Sequence, residues 1–514
     1  MTRRPLGALF ALTLACSTPA STPVDSSLGE ASTDTSSDTS TKQDAAPDAP
    51  ELAWAPCQGT YECATLPVPR DPREPQRPTL SLALLRARAR DPSRRLGVLL
   101  WNPGGPGGSG VRQLPAFWRS ANGTMNELTQ RFDWVGFDPR GVGASRPAVD
   151  CVDDAALERL RALDLGDDSD AARGALESEA RAFITGCQAR TPAEVLTAVG
   201  SPEAAEDLDR IREALGEEVI NYLGISYGTW LGALYAQRFP RRVRAFALDS
   251  AASEEGDRRE RSRRRARAFE AALTRFLGWC AETPSCGLRR ASPEATGAAF
   301  DALARRLGGA PLAVGARRAG PAELFSAVVL GLRARQWPPL AAALAAAERG
   351  DGAMLLSLAD ADRGRQGDGS YFNNTEAFAA ISFLDSPFPS GFTVGDYTRF
   401  VTAELVPLAP RMGRWASQLE FVAALWPLRR ALPAPPLGAT TAPPILLLGG
   451  LHDPATPYEL AQRMRDTLAN GSHLVTYEGD GHAQVQQSAC ARAAVVRFLV
   501  DPSRAPATDR CPAE

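Results

Sequence analysis

The sequence predicts an α/β protein: a mostly parallel sheet with helices on both faces, interrupted by a large helical insertion. Three observations predict it. Short apolar runs of strand length alternate with helical stretches up to residue 250 and again after residue 435, as in a sheet buried on both faces. Between them, residues 251–435 are rich in Ala, Arg, Leu and Glu with helical periodicity and few strand-like runs. One apolar run passes straight into a Gly-rich turn that holds a serine and opens a helix.

The elements follow in order. Residues 80–87 (LSLALLRA) alternate loosely and read as a strand. Residues 96–101 (LGVLLW) are an apolar run ahead of a Gly-Pro cluster, and residues 132–137 (FDWVGF) are another strand. Residues 219–223 (VINYL) lead into the serine turn, and 227–239 (YGTWLGALYAQRF) read as a helix closed by Pro240. Residues 244–248 (RAFAL) precede the insertion. Its Arg-rich stretch, 258–267, is expected to form a solvated helix face, with a docking surface as the alternative. A Pro-rich return linker, 433–444, leads to strands at 444–448 (PILLL) and 473–477 (HLVTY).

The chain has 514 residues, and 57 basic against 60 acidic side chains give a net charge of −3. That balance excludes a nucleic-acid binder working through bulk positive charge, and equally a disordered polyanion. Arg3 and Arg4 precede an apolar stretch at 6–15 that is too short to span a bilayer and suits a signal peptide. Cys16 follows Ala15 as in a bacterial lipobox, so residues 1–16 are expected to direct export and lipid attachment at Cys16; plain secretion is the alternative. Residues 17–50, rich in Ser, Thr, Asp, Ala and Pro, are expected to be a tether. The expected organisation is then a sheet domain in two parts, 51–250 and 436–514, around the insertion at 251–435. Membrane contact is expected through the anchor alone.

Eight cysteines remain after Cys16. An even number in an exported chain reads as disulfides, and they fall into sequence-local couples: Cys57–Cys63, Cys151–Cys187, Cys280–Cys286 and Cys490–Cys511. No CxxC spacing is present and the chain has 3 His, so neither a zinc site nor a cofactor is expected.

Three features carry chemistry. Gly224-Ile225-Ser226-Tyr227-Gly228 is a G-x-S-x-G between strand and helix, where a tight turn lifts a nucleophilic hydroxyl above the sheet edge. A serine nucleophile needs a base, and the base a partner that fixes its tautomer. His482 lies in a Gly-rich loop after the last strand, and Asp453 follows the apolar run ILLLGG. Asp249 is the reserve acid; Asp480 is too close along the loop, His452 adjoins Asp453, and His473 opens a strand. The third feature is Asn102-Pro103-Gly104-Gly105-Pro106-Gly107-Gly108-Ser109-Gly110, placed to aim the Gly105 N–H, paired with that of Tyr227, at an oxyanion. It lacks the G-K-[ST] ending of a phosphate-binding loop.

With these in place the chain resembles the secreted bacterial tripeptidyl aminopeptidase family, α/β-hydrolases related to proline iminopeptidases. The likeness covers residues 51–514. Its further marks are Trp54-Ala55-Pro56-Cys57, Cys63-Ala64 and Val68-Pro69, the D-x-R-G-x-G-x-S stretch Asp138 to Ser145, and Ser488-Ala489-Cys490 with Cys511. The resemblance implies an α/β-hydrolase sheet with a helical lid after its sixth strand. It also implies a serine exopeptidase that releases di- or tripeptides from a free N-terminus, with peptides as partners. An esterase or lipase with the same triad is the alternative. Lid acids should meet the substrate ammonium, with Asp385 and Glu376 as candidates. The pattern departs from the family's at Phe383 and Ala423, where relatives often carry cysteines, and loss of a lid disulfide would bear on lid rigidity.

Overall fold

A computed structural model describes residues 52–74, 78–253, 256–416, 419–430 and 436–514. The expected signal segment, Cys16 and the tether lie outside the described residues, as does part of the return linker.

The main sheet is built from β1 (Ala55–Cys57), β2 (Tyr61–Pro69), β3 (Pro78–Ala87), β4 (Gly97–Asn102), β5 (Phe132–Phe137), β6 (Ile220–Ile225) and β7 (Val243–Asp249). A separate hairpin, β8 (Leu312–Val314) with β9 (Arg317–Ala319), lies inside the insertion, and β10 (Leu446–His452), β11 (His473–Asp480) and β12 (Arg510–Cys511) complete the sheet. The strand order is β1-β2-β3-β5-β4-β6-β7-β10-β11-β12. From β5 to β12 neighbours run parallel, while β1, β2 and β3 form an antiparallel edge. The insertion follows β7, the seventh strand in chain order and not the sixth: β1 and β2 both precede the five strands read from the sequence.

Side chains alternate between two apolar layers, as strand pleating requires. Leu99, Leu223, Ala245 and Leu446 face one layer with Leu114, Val495 and Phe498. Leu100, Tyr222, Phe246 and Leu447 face the other, which continues into the insertion. The insertion itself is mainly helical, from Arg258–Glu282 to Glu420–Leu425.

Polar side chains tie the insertion to the segment that follows β5. Asn373 donates to the carbonyls of Gly141 and Val149 at 3.0 and 3.1 Å and accepts the Gly143 N–H at 2.9 Å. Glu376 accepts the N–H groups of Cys151 and Val152 at 2.6 and 3.1 Å. Asp385 accepts the Ser201 N–H at 3.0 Å, and Arg430 pairs with Glu203 at 2.5 Å. Disulfides join Cys57 to Cys63, Cys151 to Cys187, Cys280 to Cys286 and Cys490 to Cys511.

Candidate active site

The β6 strand ends at Ile225 and the helix Tyr227–Arg238 begins two residues later, so Ser226 alone makes the turn. It adopts φ 57°, ψ −123°, a strained conformation for a residue with a side chain. Its backbone is held: the N–H donates to the Asp249 carbonyl at 2.9 Å, and its carbonyl accepts the Thr229 N–H at 2.8 Å and the Thr229 hydroxyl at 2.6 Å. The flanking glycines are needed for space. A Cβ on Gly224 would sit 2.5 Å from the Gly228 carbonyl oxygen, and one on Gly228 2.9 Å from Asn102 Oδ1. The Ser226 hydroxyl does not cap the helix.

Asp453 follows β10 and His482 follows β11, two neighbouring parallel strands. His482 Nδ1 lies 2.8 Å from Asp453 Oδ2 and 3.0 Å from Oδ1. Asp453 is buried, and its oxygens are otherwise filled by the N–H groups of Ala455 and Thr456 at 2.9 and 3.0 Å and by the Thr456 hydroxyl at 3.0 Å. Gln484 Nε2 adds a further donor at 3.3 Å. With Nδ1 committed to the carboxylate, Nε2 is the nitrogen left for proton transfer. Thr456 and Gln484 are absent from the sequence expectation; an Asp-x-x-Thr after a strand is a local turn signal that could have flagged the first.

Asp249, the reserve acid, has another task. Its carboxylate accepts the N–H groups of Gln484 and Val485, each at 2.9 Å, and so holds the chain just beyond His482. Burial pushes its carboxyl up to about 6 against the pull of those two amides. Ser250 supports the same loop, its hydroxyl accepting the Ala483 N–H at 2.9 Å. Asp480 pairs with Arg275 at 2.6 Å, and burial, then Arg275, lowers the His452 imidazole. His473 opens β11 and meets Phe498 edge-on.

The Gly-rich loop leaves β4 and lies against the serine turn. A Cβ on Gly104 would come 2.4 Å from the Ile225 carbonyl oxygen and 2.9 Å from Ser226 Cβ, and the Gly104 N–H donates to Asn102 Oδ1 at 2.8 Å. Gly105, at φ 118°, and Tyr227 line one cavity with Ser226 and His482. The loop ends at Ser109, which caps the helix Gly110–Thr124 by accepting the Arg112 N–H at 3.0 Å. Asp138 anchors that junction, accepting from the Ser109 hydroxyl at 2.7 Å, the Val111 N–H at 3.0 Å and the Ala144 N–H at 2.7 Å. Burial raises its carboxyl despite these donors. Two residues on, the buried Arg140 grips Asp207 through two bonds of 2.7 Å. The D-x-R-G-x-G-x-S stretch is thus a brace for the Gly-rich loop.

The cavity over Ser226 has a volume of about 390 Å³. Helix Asn374–Asp385 lines it through Thr375, Phe378 and Ser382, with Trp415 and Leu419 beside them. Two expectations are corrected here. Glu376 and Asp385 do not line the cavity; both carboxylates are buried on backbone amides, Glu376 on Cys151 and Val152, Asp385 on Ser201. Nor is the Arg-rich stretch simply a solvated face: Arg258, Arg261, Arg264 and Arg265 line the cavity, because helix Arg258–Glu282 turns that side toward the serine. Phe383 packs edge-on against Trp426 at 5.4 Å with the Arg258 guanidinium 4.9 Å from its ring. Among the described residues no cluster of His, Cys, Asp or Glu could hold a metal ion.

The sequence model for the α/β-hydrolase fold matches residues 97–299, and that for TAP-like proteins matches residues 410–511. The chain is 32% identical to the serine protease Hip1 of Mycobacterium tuberculosis, over 90% of this chain and 91% of that one. It is 31% identical to the tripeptidyl aminopeptidase of Streptomyces lividans, over 84% of this chain and 80% of the relative. It is also 32% identical to carboxylesterase B of M. tuberculosis, over 90% of each. Likeness of this extent, on an α/β-hydrolase sheet with a serine at the strand-to-helix turn, makes the chain a serine peptidase of the tripeptidyl aminopeptidase-like family.

Proposed function

We propose that the protein releases di- or tripeptides from the free N-terminus of short peptides through an acyl-enzyme. Ser226 attacks the scissile carbonyl while His482 takes its proton, and Asp453 orients the imidazole and balances its charge. The N–H groups of Gly105 and Tyr227 receive the oxyanion. His482 then protonates the leaving amine, and water hydrolyses the ester. The observation that carries the reading is the cavity: Ser226 and His482 share a space of about 390 Å³ walled in part by helices of the insertion, which favours a chain end over an internal loop. The name of the Streptomyces relative supports the same choice. The disulfides suit an exported protein, and export with a lipid anchor at Cys16 is part of the proposal.

The test is a panel of chromogenic amides, one to four residues long with free or blocked N-termini, beside short and long acyl esters. Each is offered to the wild-type chain and to Ser226→Ala. Cleavage of free-amine di- and tripeptide amides, lost on blocking and in the variant, is the expected result. Turnover of esters alone would move the protein to the carboxylesterases, in line with its other mycobacterial relative.

A further inference from the structure

The lining of the active-site cavity is strongly cationic. Among the described residues, seven arginines and two carboxylates, Asp362 and Glu420, contribute to it. Both carboxylates are already engaged. Glu420 is held by Arg258 through bonds of 2.5 and 3.0 Å, and Asp362 accepts from Arg333 at 3.3 Å. Arg264 meets Glu459 at 2.9 Å.

Three other arginines hydrogen-bond no carboxylate. Arg112, beside the Gly-rich loop, lies with its guanidinium 3.7 Å from the centre of the Phe372 ring. Arg161 is 3.9 Å from Asp362, beyond hydrogen-bond reach, and its Nε is buried without a partner. Arg265 likewise has a buried, unpartnered Nε, and its guanidinium lies 5.6 Å from the Phe269 ring. Burial lowers all three guanidinium groups, Arg161 to about 10; arginine keeps its charge at neutral pH in proteins.

Burying a charge without a counter-ion is costly. Arg161, whose nearest carboxylate oxygen is 3.9 Å away on Asp362, and Arg265 bring such charges from separate helices, Asp154–Arg161 and Arg258–Glu282, and the exposed Arg112 of helix Gly110–Thr124 lines the same cavity; this convergence is hard to assign to folding. A guanidinium offers parallel donors that match a carboxylate, and a walled cleft of one sign concentrates ligands of the other.

We propose that this cavity selects acidic peptides, with Arg112, Arg161 and Arg265 receiving substrate carboxylates close to the scissile bond. The proposal rests on the peptidase reading for its substrate class and on the cavity's charge for its selectivity. A carboxylate could come from a Glu or Asp side chain or from the free C-terminus of a short peptide, and the test separates these.

The experiment compares kcat/KM on Ala-Ala-Glu, Ala-Ala-Gln and Ala-Ala-Lys p-nitroanilides. It adds the tetrapeptide Ala-Ala-Gln-Ala as free acid and as C-terminal amide. The full chain is used at low and high salt, beside Arg161→Gln, Arg265→Gln and Arg265→Lys. The expected result is a preference for Glu over Gln of about tenfold or more, the scale of a charge-assisted hydrogen bond. It should shrink with salt, collapse toward unity in the Gln variants and persist in part in Arg265→Lys. A preference confined to the free-acid tetrapeptide would assign the carboxylate to the chain terminus. Equal rates on Glu and Gln with no free-acid preference, or a preference for Lys, would overturn the proposal. A turnover-free arm measures protection of Ser226 from a fluorophosphonate by glutarate against glutaramide. Protection by glutarate alone, with no amide cleaved, would sink the peptidase reading and leave the anion site standing. Equal protection by both would sink the anion site.

Discussion

Replacing Asp249 with Asn tests the link between the sheet and the loop that carries His482. Its carboxyl is raised from 3.8 to about 6 by burial, the nearby Asp453 charge adding to the rise and His482 opposing it. Between those two values the native protein holds a proton that the unfolded chain has released. Stability from this group therefore increases as pH falls through about 6, and the cost of its ionisation is fully present above that. Linkage with these values makes the wild type about 1.4 kcal/mol more stable at about pH 5 than at about pH 7.5 through Asp249 alone. The Gln484 and Val485 N–H groups bond different oxygens of Asp249, so Asn keeps a carbonyl oxygen for one and turns its NH2 to the other, a loss that does not vary with pH, and it has no proton to exchange. Urea unfolding of wild type and Asp249→Asn, under oxidising conditions across this range, measures the term as a difference between two curves. The difference should tilt by about 1.4 kcal/mol in favour of wild type toward acid. A flat difference, or one tilting toward alkali, would refute the account of Asp249 as a buried carboxyl with a raised pKa.

Ser226→Ala and His482→Ala should each lower kcat by about 10⁶ on the preferred amide, and the double variant should lose little more, since the two act as a unit. Steady-state kinetics with active-site titration checks this. Asp138→Ala strands two backbone N–H groups and the Ser109 hydroxyl, so unfolding should cost about 3 kcal/mol less or lower still, with Asp138→Asn recovering part of it in the same urea titration. Gly104→Ala places a methyl 2.4 Å from the Ile225 carbonyl at φ 90°. It should abolish fluorophosphonate labelling of Ser226 while leaving the far-ultraviolet circular dichroism unchanged.

The central strands were legible because parallel strands covered on both faces are continuous apolar runs: β4, β5, β6 and the first half of β10 contain little else. The β2 strand was not, since Pro67 and Pro69 break its alternation and cannot donate to a ladder, which is tolerated because β1 pairs only with residues 61–63 and leaves that end of β2 bonded to β3 alone. Two-residue β12 carries no periodicity to read. Around the serine, legibility followed from chemistry. A strand-to-helix serine turn, a late acid and a His in a glycine loop are residue types at places where few alternatives exist. The acids of the insertion were opaque for the converse reason. A carboxylate on a helix can face any direction, and the partners of Glu376 lie 225 positions away in the chain. The arginine run was misread because which side of a helix meets solvent depends on what lies beneath it.

The polar ties between the insertion and the segment after β5 bear on how such enzymes are modular. A lid is commonly pictured as a cassette that can be exchanged without disturbing the catalytic body. Here, cutting out residues 251–435 would remove Asn373, Glu376, Asp385 and Arg430 together. The carbonyls of Gly141 and Val149, the amides of Gly143, Cys151, Val152 and Ser201, and the Glu203 carboxylate would all lose partners at once. Several of those groups sit in or beside the brace that steadies the Gly-rich loop. The excised body would not be a smaller hydrolase but a damaged one. Diversification of substrate range is accordingly freer in the arginine-bearing helix than in the helix Asn374–Asp385, and lid swaps between relatives should succeed when the 141–205 stretch travels with the graft.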